Sequence, residues 1–290
     1  MGAIYRKELR SYFTGMTGAI FTAFILIISG IYIGAFNFNY GYAQFDYSIS
    51  MISFMYLPAI PVLTMRSLAE EKSTKTDQLL YTLPISLSKV IMAKYFAIVT
   101  VLAVPLAILG LVPLVMSMYG SVHFAVAYSA LFITFLLGCA LAAIGMFISS
   151  TTESQVIAAV ISLAVFFAFY IMNGIVTMIP ATAVASAVLF GVVAVVAAIL
   201  IYVLTKNIPV SAGVGVVFVA VDVVLYFYNK AMFEGAFAKM LGVLDVFGRG
   251  NDFFQSIFDV SAVVYYLSIV ILFVFFTIQS MEKKRWSEVD

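Results

Sequence analysis

A group of acidic and leucine residues between positions 66 and 89 has the composition of a surface that docks on another protein. Its members are Glu70, Glu71, Asp77, Leu79, Leu80 and Leu83. Carboxylates pair with basic side chains of a partner, while buried apolar side chains supply most of the binding free energy at such a contact. Two other acids attract attention: Glu153 follows a Ser-Ser-Thr-Thr turn, and Asp222 lies within an apolar stretch, where an intramembrane acid is a functional candidate.

The residues needed for catalysis or for metal binding are largely absent. The sequence has no G-x-x-x-x-G-K-S/T phosphate loop for ATP, no H-E-x-x-H motif and a single histidine, His123. One histidine does not build a His-rich metal site, and His123 falls in a short turn that offers no Ser-His-Asp arrangement. Cys139 is the only cysteine, which excludes an internal disulfide. We therefore expect that the chain by itself is not an enzyme and holds no cofactor.

The composition indicates that most of the chain, including the segments that position these residues, lies in a lipid bilayer. Of the 290 residues, 64% are hydrophobic and 10% are charged, and the mean hydropathy is +1.13. Runs of roughly 20 apolar residues, the length of one helical crossing, recur along the chain. Because these runs do not alternate in polarity as barrel strands do, the predicted fold is an all-α polytopic membrane bundle. The net charge of +1 gives no indication of nucleic-acid binding.

Eight transmembrane helices are predicted. They cover residues 16–36, 49–65, 90–117, 124–149, 155–178, 184–204, 210–228 and 260–280. Only residues 205–209 separate the sixth from the seventh, so a membrane-dipping hairpin with six full crossings is the alternative. Residues 4–15 place aromatic and apolar side chains at helical spacing, with Arg6, Lys7 and Arg10 elsewhere around the turn. This pattern favours a helix that lies in the membrane interface.

The distribution of basic residues predicts the orientation of the chain. With an even number of crossings both termini lie on one side, and twelve of the 15 Lys and Arg residues fall in the segments assigned to that side. The three on the other side are Lys230, Lys239 and Arg249. By the positive-inside rule, both termini, the 66–89 loop and the turn at 149–155 are cytoplasmic, and the segment 229–259 is extracellular.

The cytoplasmic loop is expected to contain a short amphipathic helix. Thr76 can cap this helix, which would run through Leu83 until Pro84 stops it. A cytoplasmic partner that binds a capped helix between two crossings can displace that helix relative to the membrane. Taken alone, however, this segment favours the simpler interpretation, a solvated loop whose charges only fix the topology.

Several stretches of the chain together resemble one family of membrane proteins. They are AIYRKELRSYFTGMTGAIFTAFILIISGIYIG, PAIPVLTMRSLAEEKSTKTDQLLYTLPISLSKVIMAK, SSTTESQVIAA and SIFDVSAVVYYLSIVILFVFFTIQSMEKKRW. In order, they resemble the first span with its interfacial helix, the second span with its coupling loop, the second cytoplasmic turn and the last span of ABC-2-type permeases of the gliding-motility class. The resemblance covers about residues 1–178 and 255–286.

This resemblance implies the permease subunit of an ATP-binding cassette exporter in a bacterial plasma membrane. In that family the permease pairs with a second permease, identical or related, above two cytoplasmic ATPases that hold ATP and Mg²⁺. The loop after the second span docks in a groove of the ATPase, and the turn carrying Glu153 lies nearby.

The chain departs from the family pattern at a few positions. Lys75 stands where the family has glycine, Asp77 where it has glutamate, and Gln255-Ser256 where it has an Arg-Gly pair. Residues 181–228 look like an added pair of spans. For these reasons no substrate is carried over from the family.

Two other functional classes fit the same sequence. One is a secondary transporter or channel that needs no ATPase and uses Asp222 as its coupling acid; inverted repeats would favour it, and none is evident by eye. The other is a non-transport membrane scaffold that uses ATPase cycles to move or anchor something at the cell surface. An adjacent gene for an ATPase with a phosphate loop would favour the ATP-driven classes.

The predicted orientation can be tested by labelling with an impermeant thiol reagent. Cysteines placed one at a time at Ser73 and Gln255, in a Cys139→Ser background, should react differently in intact cells. We expect labelling at position 255 and no labelling at position 73 until the cells are permeabilised, because the basic residues cluster on the side of residue 73. Labelling at 73 but not at 255 would invert the orientation.

Overall fold

The structure is a computed structural model that describes residues 1–41, 44–76, 86–255 and 257–287. Throughout these ranges the regular elements are helices, and eight helices are long and apolar enough to cross a membrane. The predicted all-α polytopic bundle is therefore confirmed. The chain forms two compact units: the first contains Met1–Ala168 and Phe247–Asp290, and the second contains Phe169–Val246.

The α-helices follow one another with short connections. In chain order they are α1 (Gly2–Thr14), α2 (Thr17–Tyr32), α3 (Phe45–Thr64), α4 (Arg66–Ser73), α5 (Leu87–Leu109), α6 (Val112–Met116), α7 (Phe124–Thr151), α8 (Gln155–Met178), α9 (Ala183–Thr205), α10 (Ile208–Tyr228), α11 (Lys230–Phe233), α12 (Ala236–Gly242), α13 (Asn251–Phe254) and α14 (Val260–Ser287). A π-helical segment, Ile33–Asn39, extends α2, and a 3₁₀ turn, Gly248–Gly250, precedes α13.

The beginning of the predicted 66–89 loop is a helix. α4 follows α3 after one residue, Met65, which itself has helical backbone angles. The expectation of a loop directly after the second span is thus wrong for Arg66–Ser73. The helix predicted from Thr76 to Leu83 falls outside the described residues apart from Thr76, which lies in a turn; Asp77, Leu79, Leu80 and Leu83 are all outside them.

Close packing around α7 forms the core of the first unit. A Cβ atom added to Gly145 would lie 2.4 Å from Thr64 Oγ1 on α3, and one added to Gly138 would lie 2.7 Å from Leu102 Cδ2 on α5. On another side of α7, Phe147 packs edge-on against Phe273 of α14, with ring centroids 5.8 Å apart. Small residues at these crossings let the helix backbones approach each other, which is the usual basis of helix association in membranes.

Replacing Gly145 should destabilise the first unit. We expect Gly145→Ala to lower the free energy of unfolding by about 1–3 kcal/mol, because the new methyl group must push α3 away from α7. Cys139 is buried on α7 and is the only cysteine, so its reactivity with a thiol dye during heating reports unfolding.

Gly30→Ala is the matched control for this measurement, because Gly30 lies on α2 in the same unit. No atom outside its own helical turn lies within 4 Å of a Cβ added to Gly30, and alanine is the better helix former. Its melting temperature should equal or exceed that of the parent. If Gly145→Ala melts no lower than Gly30→Ala, the close approach of α3 and α7 is not a determinant of stability.

Candidate coupling site

Two serines at the end of α7 hold α4 in place. Ser149 Oγ accepts hydrogen bonds from the backbone N–H groups of Leu68 and Ala69, at 3.2 and 3.0 Å, and donates one to Met65 O at 3.1 Å. The first N–H groups of a helix have no partner within it, so a hydroxyl from another helix acts here as the cap. One residue later, the carbonyl of Ser150 accepts a hydrogen bond from the ammonium group of Lys72.

A buried lysine joins α4 to α1 and α5. Lys94 lies two turns into α5, and its side chain is only 2% exposed. Its ammonium group donates to Glu71 Oε1 at 2.7 Å, to Ser67 O at 3.0 Å and to Glu8 Oε1 at 3.1 Å. A lysine has three N–H donors, and each of them finds an acceptor here. Burial of the charge is tolerable because it is both paired and fully hydrogen-bonded.

The cluster around Lys94 carries an excess of negative charge. Two carboxylates surround one ammonium group, and both are mostly buried, with exposed side-chain fractions of 14% for Glu8 and 16% for Glu71. The second carboxylate oxygen of Glu71, Oε2, is buried and has no hydrogen-bond partner among the described residues. The cluster therefore has an acceptor left for one more donor.

A second charged contact joins α4 to α2. The guanidinium group of Arg66 binds Glu70 with two parallel hydrogen bonds of 2.8 and 3.0 Å, and its third nitrogen donates to Thr17 Oγ1 at 2.7 Å. Gly15, in the turn between α1 and α2, has no side chain to obstruct the guanidinium: an added Cβ would lie 3.1 Å from Arg66 Nη1. The two-pronged geometry fixes the guanidinium plane as well as the charge.

The amphipathic helix α1 packs on the bundle next to α4. Its Tyr5 hydroxyl is 2.8 Å from Thr100 Oγ1 of α5, and its Tyr12 hydroxyl donates to Leu63 O of α3 at 3.4 Å. Burial, reinforced by the nearby charge of Glu8, raises the pKa of Tyr12, so its phenol remains a hydrogen-bond donor. The basic residues Arg6, Lys7 and Arg10 are exposed on α1.

Glu153 lies in the turn that follows α7, as expected, and is exposed. It pairs with Lys284 near the end of α14, with a nitrogen–oxygen distance of 3.6 Å. An exposed pair of this length contributes little free energy. It nevertheless connects the turn after α7 with the basic segment at the end of α14.

Asp222 belongs to the second unit and takes no part in this site. It is half-buried on α10, where its Oδ2 would lie 3.9 Å from a Cβ added to Gly191 of α9. Neither an ion pair nor a hydrogen bond to its carboxylate occurs within the described part of the chain. Across the same described ranges, no group of three or more His, Cys, Asp or Glu residues is arranged to hold a metal ion.

Glu70 and Glu71 are recognisable from the sequence, but the residues that bind them are not among the predicted site residues. Lys94 contributes to the predicted topology only as a positive charge, although a lysine within an apolar helix is itself a signal of a buried acidic partner. Glu8, Ser149 and Ser150 carried no comparable signal, since each is an ordinary residue at a helix end or on an amphipathic helix.

No family model matches this chain, and no curated protein is significantly similar to it. The geometry defines the site as a junction at one end of the bundle, where α4 is bonded directly to α2, α5 and α7 and is linked to α1 through Lys94. A displacement of α4 therefore acts on several helices at once.

Removing the charge of Lys94 should destabilise the junction. In Lys94→Met, Glu8 and Glu71 remain as two mostly buried carboxylates without their cation, and a broken buried pair typically costs about 3–5 kcal/mol. We expect a clearly lower melting temperature in the Cys139 thiol assay.

Lys89→Met is the control, because Lys89 is exposed on the same helix and surface substitutions usually change stability by less than about 0.5 kcal/mol. Equal melting of the two variants would mean that the cluster contributes nothing to stability.

Proposed function

We propose that this chain is the membrane-spanning subunit of an ATP-binding cassette exporter of the ABC-2 type. A separate cytoplasmic ATPase supplies the ATP and Mg²⁺ sites, and a second permease, identical or related, completes the transporter in a bacterial plasma membrane. The observation that carries the proposal is the anchoring of α4. This helix leads from the second span into the segment that resembles the coupling loop, and it is hydrogen-bonded to three other helices, α2, α5 and α7.

The anchoring of α4 gives a physical route from the ATPase to the spans. ATP binding closes the two ATPase halves and displaces the docked loop, and α4 moves with the loop because Ser73 to Thr76 connect them directly. The bonds of α4 to Ser149 and Lys94 then pass the movement to α7 and α5. Such a helix shift at an interface is a common element of conformational switching.

The predicted coupling residues have two different roles: some position α4, and the others contact the ATPase. Glu70 and Glu71 position α4, since Arg66 and Lys94 already bind them. The remaining predicted residues contact the ATPase. These are Asp77, Leu79, Leu80, Leu83 and, on the second turn, the exposed Glu153.

A secondary transporter with Asp222 as its coupling acid has less support. Coupled-ion pathways are usually lined by several polar or ionisable groups, and Asp222 has no polar partner among the described residues. A scaffold that uses ATPase cycles mechanically would need the same junction as an exporter, so the ATPase is the partner to test first.

The direct test is purification of the tagged chain in mild detergent. We expect a polypeptide with a phosphate loop to copurify and its ATPase activity to depend on the bound permease. Leu79→Asp or Leu80→Asp should abolish copurification or stimulation, because a charge replaces an apolar anchor. Glu70→Gln should weaken binding of the ATPase by about 1 kcal/mol or less, because it breaks only the partly exposed pair with Arg66 that positions α4. The double change Glu70→Gln with Glu71→Gln should have an effect between that of Glu70→Gln and those of the leucine variants.

Leu79→Ile is the matched control, since it keeps an apolar side chain of equal size. All variants are compared at equal abundance in the membrane. If the aspartate variants bind and stimulate the ATPase as well as the parent does, the loop is only a topological tether and the proposed coupling is wrong. If no ATPase copurifies and the isolated chain transports alone, the two-polypeptide function is wrong.

A further inference from the structure

The second unit contains an apolar groove between α9 and α10. The groove has a volume of about 820 Å³, within the usual range of ligand sites, and all of its lining residues come from these two helices. Its walls are almost wholly apolar, with valine and isoleucine at the edges and Ala198, Ala212 and Gly215 among the small residues between them. The helices touch at this point: a Cβ on Gly215 would lie 2.8 Å from the Cβ of Ala198.

The surroundings of the groove favour a lipid chain as its occupant. Both α9 and α10 are long and apolar enough to cross a membrane, and most of their side chains are not covered by the described part of the chain. The α10 wall, from Ile208 to Val224, is about 24 Å long at 1.5 Å rise per residue, and the α9 wall, from Val195 to Tyr202, is about 10 Å long. One leaflet contributes about half of the 30 Å hydrocarbon core, so the longer wall matches the length of a whole acyl chain.

A lysine lies at one end of this groove. Lys206 is exposed in the turn between α9 and α10, flanked by the groove residues Tyr202 and Ile208. Its backbone adopts the left-handed conformation, with φ of 51°, and its N–H group donates to Tyr202 O at 2.7 Å, which ends α9 at the mouth of the groove. The basic-residue distribution predicts that this turn is cytoplasmic, where anionic lipids are enriched.

We propose that the α9–α10 hairpin binds an anionic phospholipid, with one acyl chain in the groove and the phosphate group at Lys206. The apolar walls select a lipid chain, and the ammonium group selects a negative headgroup. This site is independent of the coupling junction and of the proposed ATPase.

The test is native mass spectrometry of the detergent-purified full chain, titrated with dioleoyl phosphatidylglycerol and, separately, dioleoyl phosphatidylcholine. The two lipids share their acyl chains, so their difference reports the headgroup. We expect the parent to prefer phosphatidylglycerol by about fivefold, the effect of one basic residue near an anionic lipid. Lys206→Gln should abolish that preference, and Lys206→Arg should keep it. Lys230→Gln, which removes a cation just beyond the other end of α10, should also keep it.

The groove itself is tested by filling it. Ala212→Phe should weaken the binding of both lipids, while Val192→Phe, at an exposed position of α9 outside the groove, should not. If Ala212→Phe lacks the helical circular dichroism or the monodisperse gel-filtration profile of the parent, Ser211→Leu provides a smaller filling change.

Three results would overturn the proposal. The first is an unchanged headgroup preference in Lys206→Gln. The second is a loss of that preference in Lys230→Gln as large as in Lys206→Gln. The third is unchanged lipid binding in a folded groove-filling variant. A change in oligomeric mass without a change in lipid binding would assign the groove to a second protein chain instead.

Discussion

The helices of the first unit converge because α7 has almost no side chain where its neighbours cross it. In lipid each helix satisfies its own backbone, so association depends on how closely the helices pack. At Gly145 and Gly138 an added methyl group would collide with Thr64 and Leu102. Ser149 follows Gly145 by one helical turn, and it can reach α4 only because α3 and α7 are this close. The polar junction is thus a consequence of the apolar packing beneath it.

The position of α1 follows from the same junction. A lysine two turns into a spanning helix usually extends its side chain toward water at the interface. Lys94 instead finds its acceptors in Glu71 and Glu8, and the helix that supplies Glu8 covers it. This contact orients α1, so that its acid faces the bundle while Arg6 and Lys7 are exposed to water or lipid headgroups. The amphipathic pattern predicts that α1 lies flat, and the buried ammonium determines which face points inward.

The spans were predictable from sequence, whereas the junction was not. Length and apolar composition are local properties, so the eight helices appear within about five residues of their expected bounds, except that the second continues through α4 to Ser73. The helicity of α4 depends instead on Ser149, some 80 residues away, and the pairing of Glu8 with Lys94 joins residues 86 positions apart. A single sequence does not show which residues that are this far apart in the chain come into contact. The charged residues of Arg66–Ser73 are typical of a solvated loop, yet Lys72 is buried and the side chain of Glu71 is only 16% exposed.

The two units are stabilised by different interactions. In the first, separating α4 from α5 would strip a buried ammonium group of its carboxylates, which makes the junction stiff toward small displacements. In the second, α9 and α10 are joined by apolar contacts and by the aromatic cluster of Phe190, Tyr226, Phe233 and Phe237. Apolar contacts are not directional, so they oppose a small sliding of one helix along the other less strongly than a buried ion pair does. A stiff element suits the transmission of force, and a compliant one suits the binding of a flexible ligand.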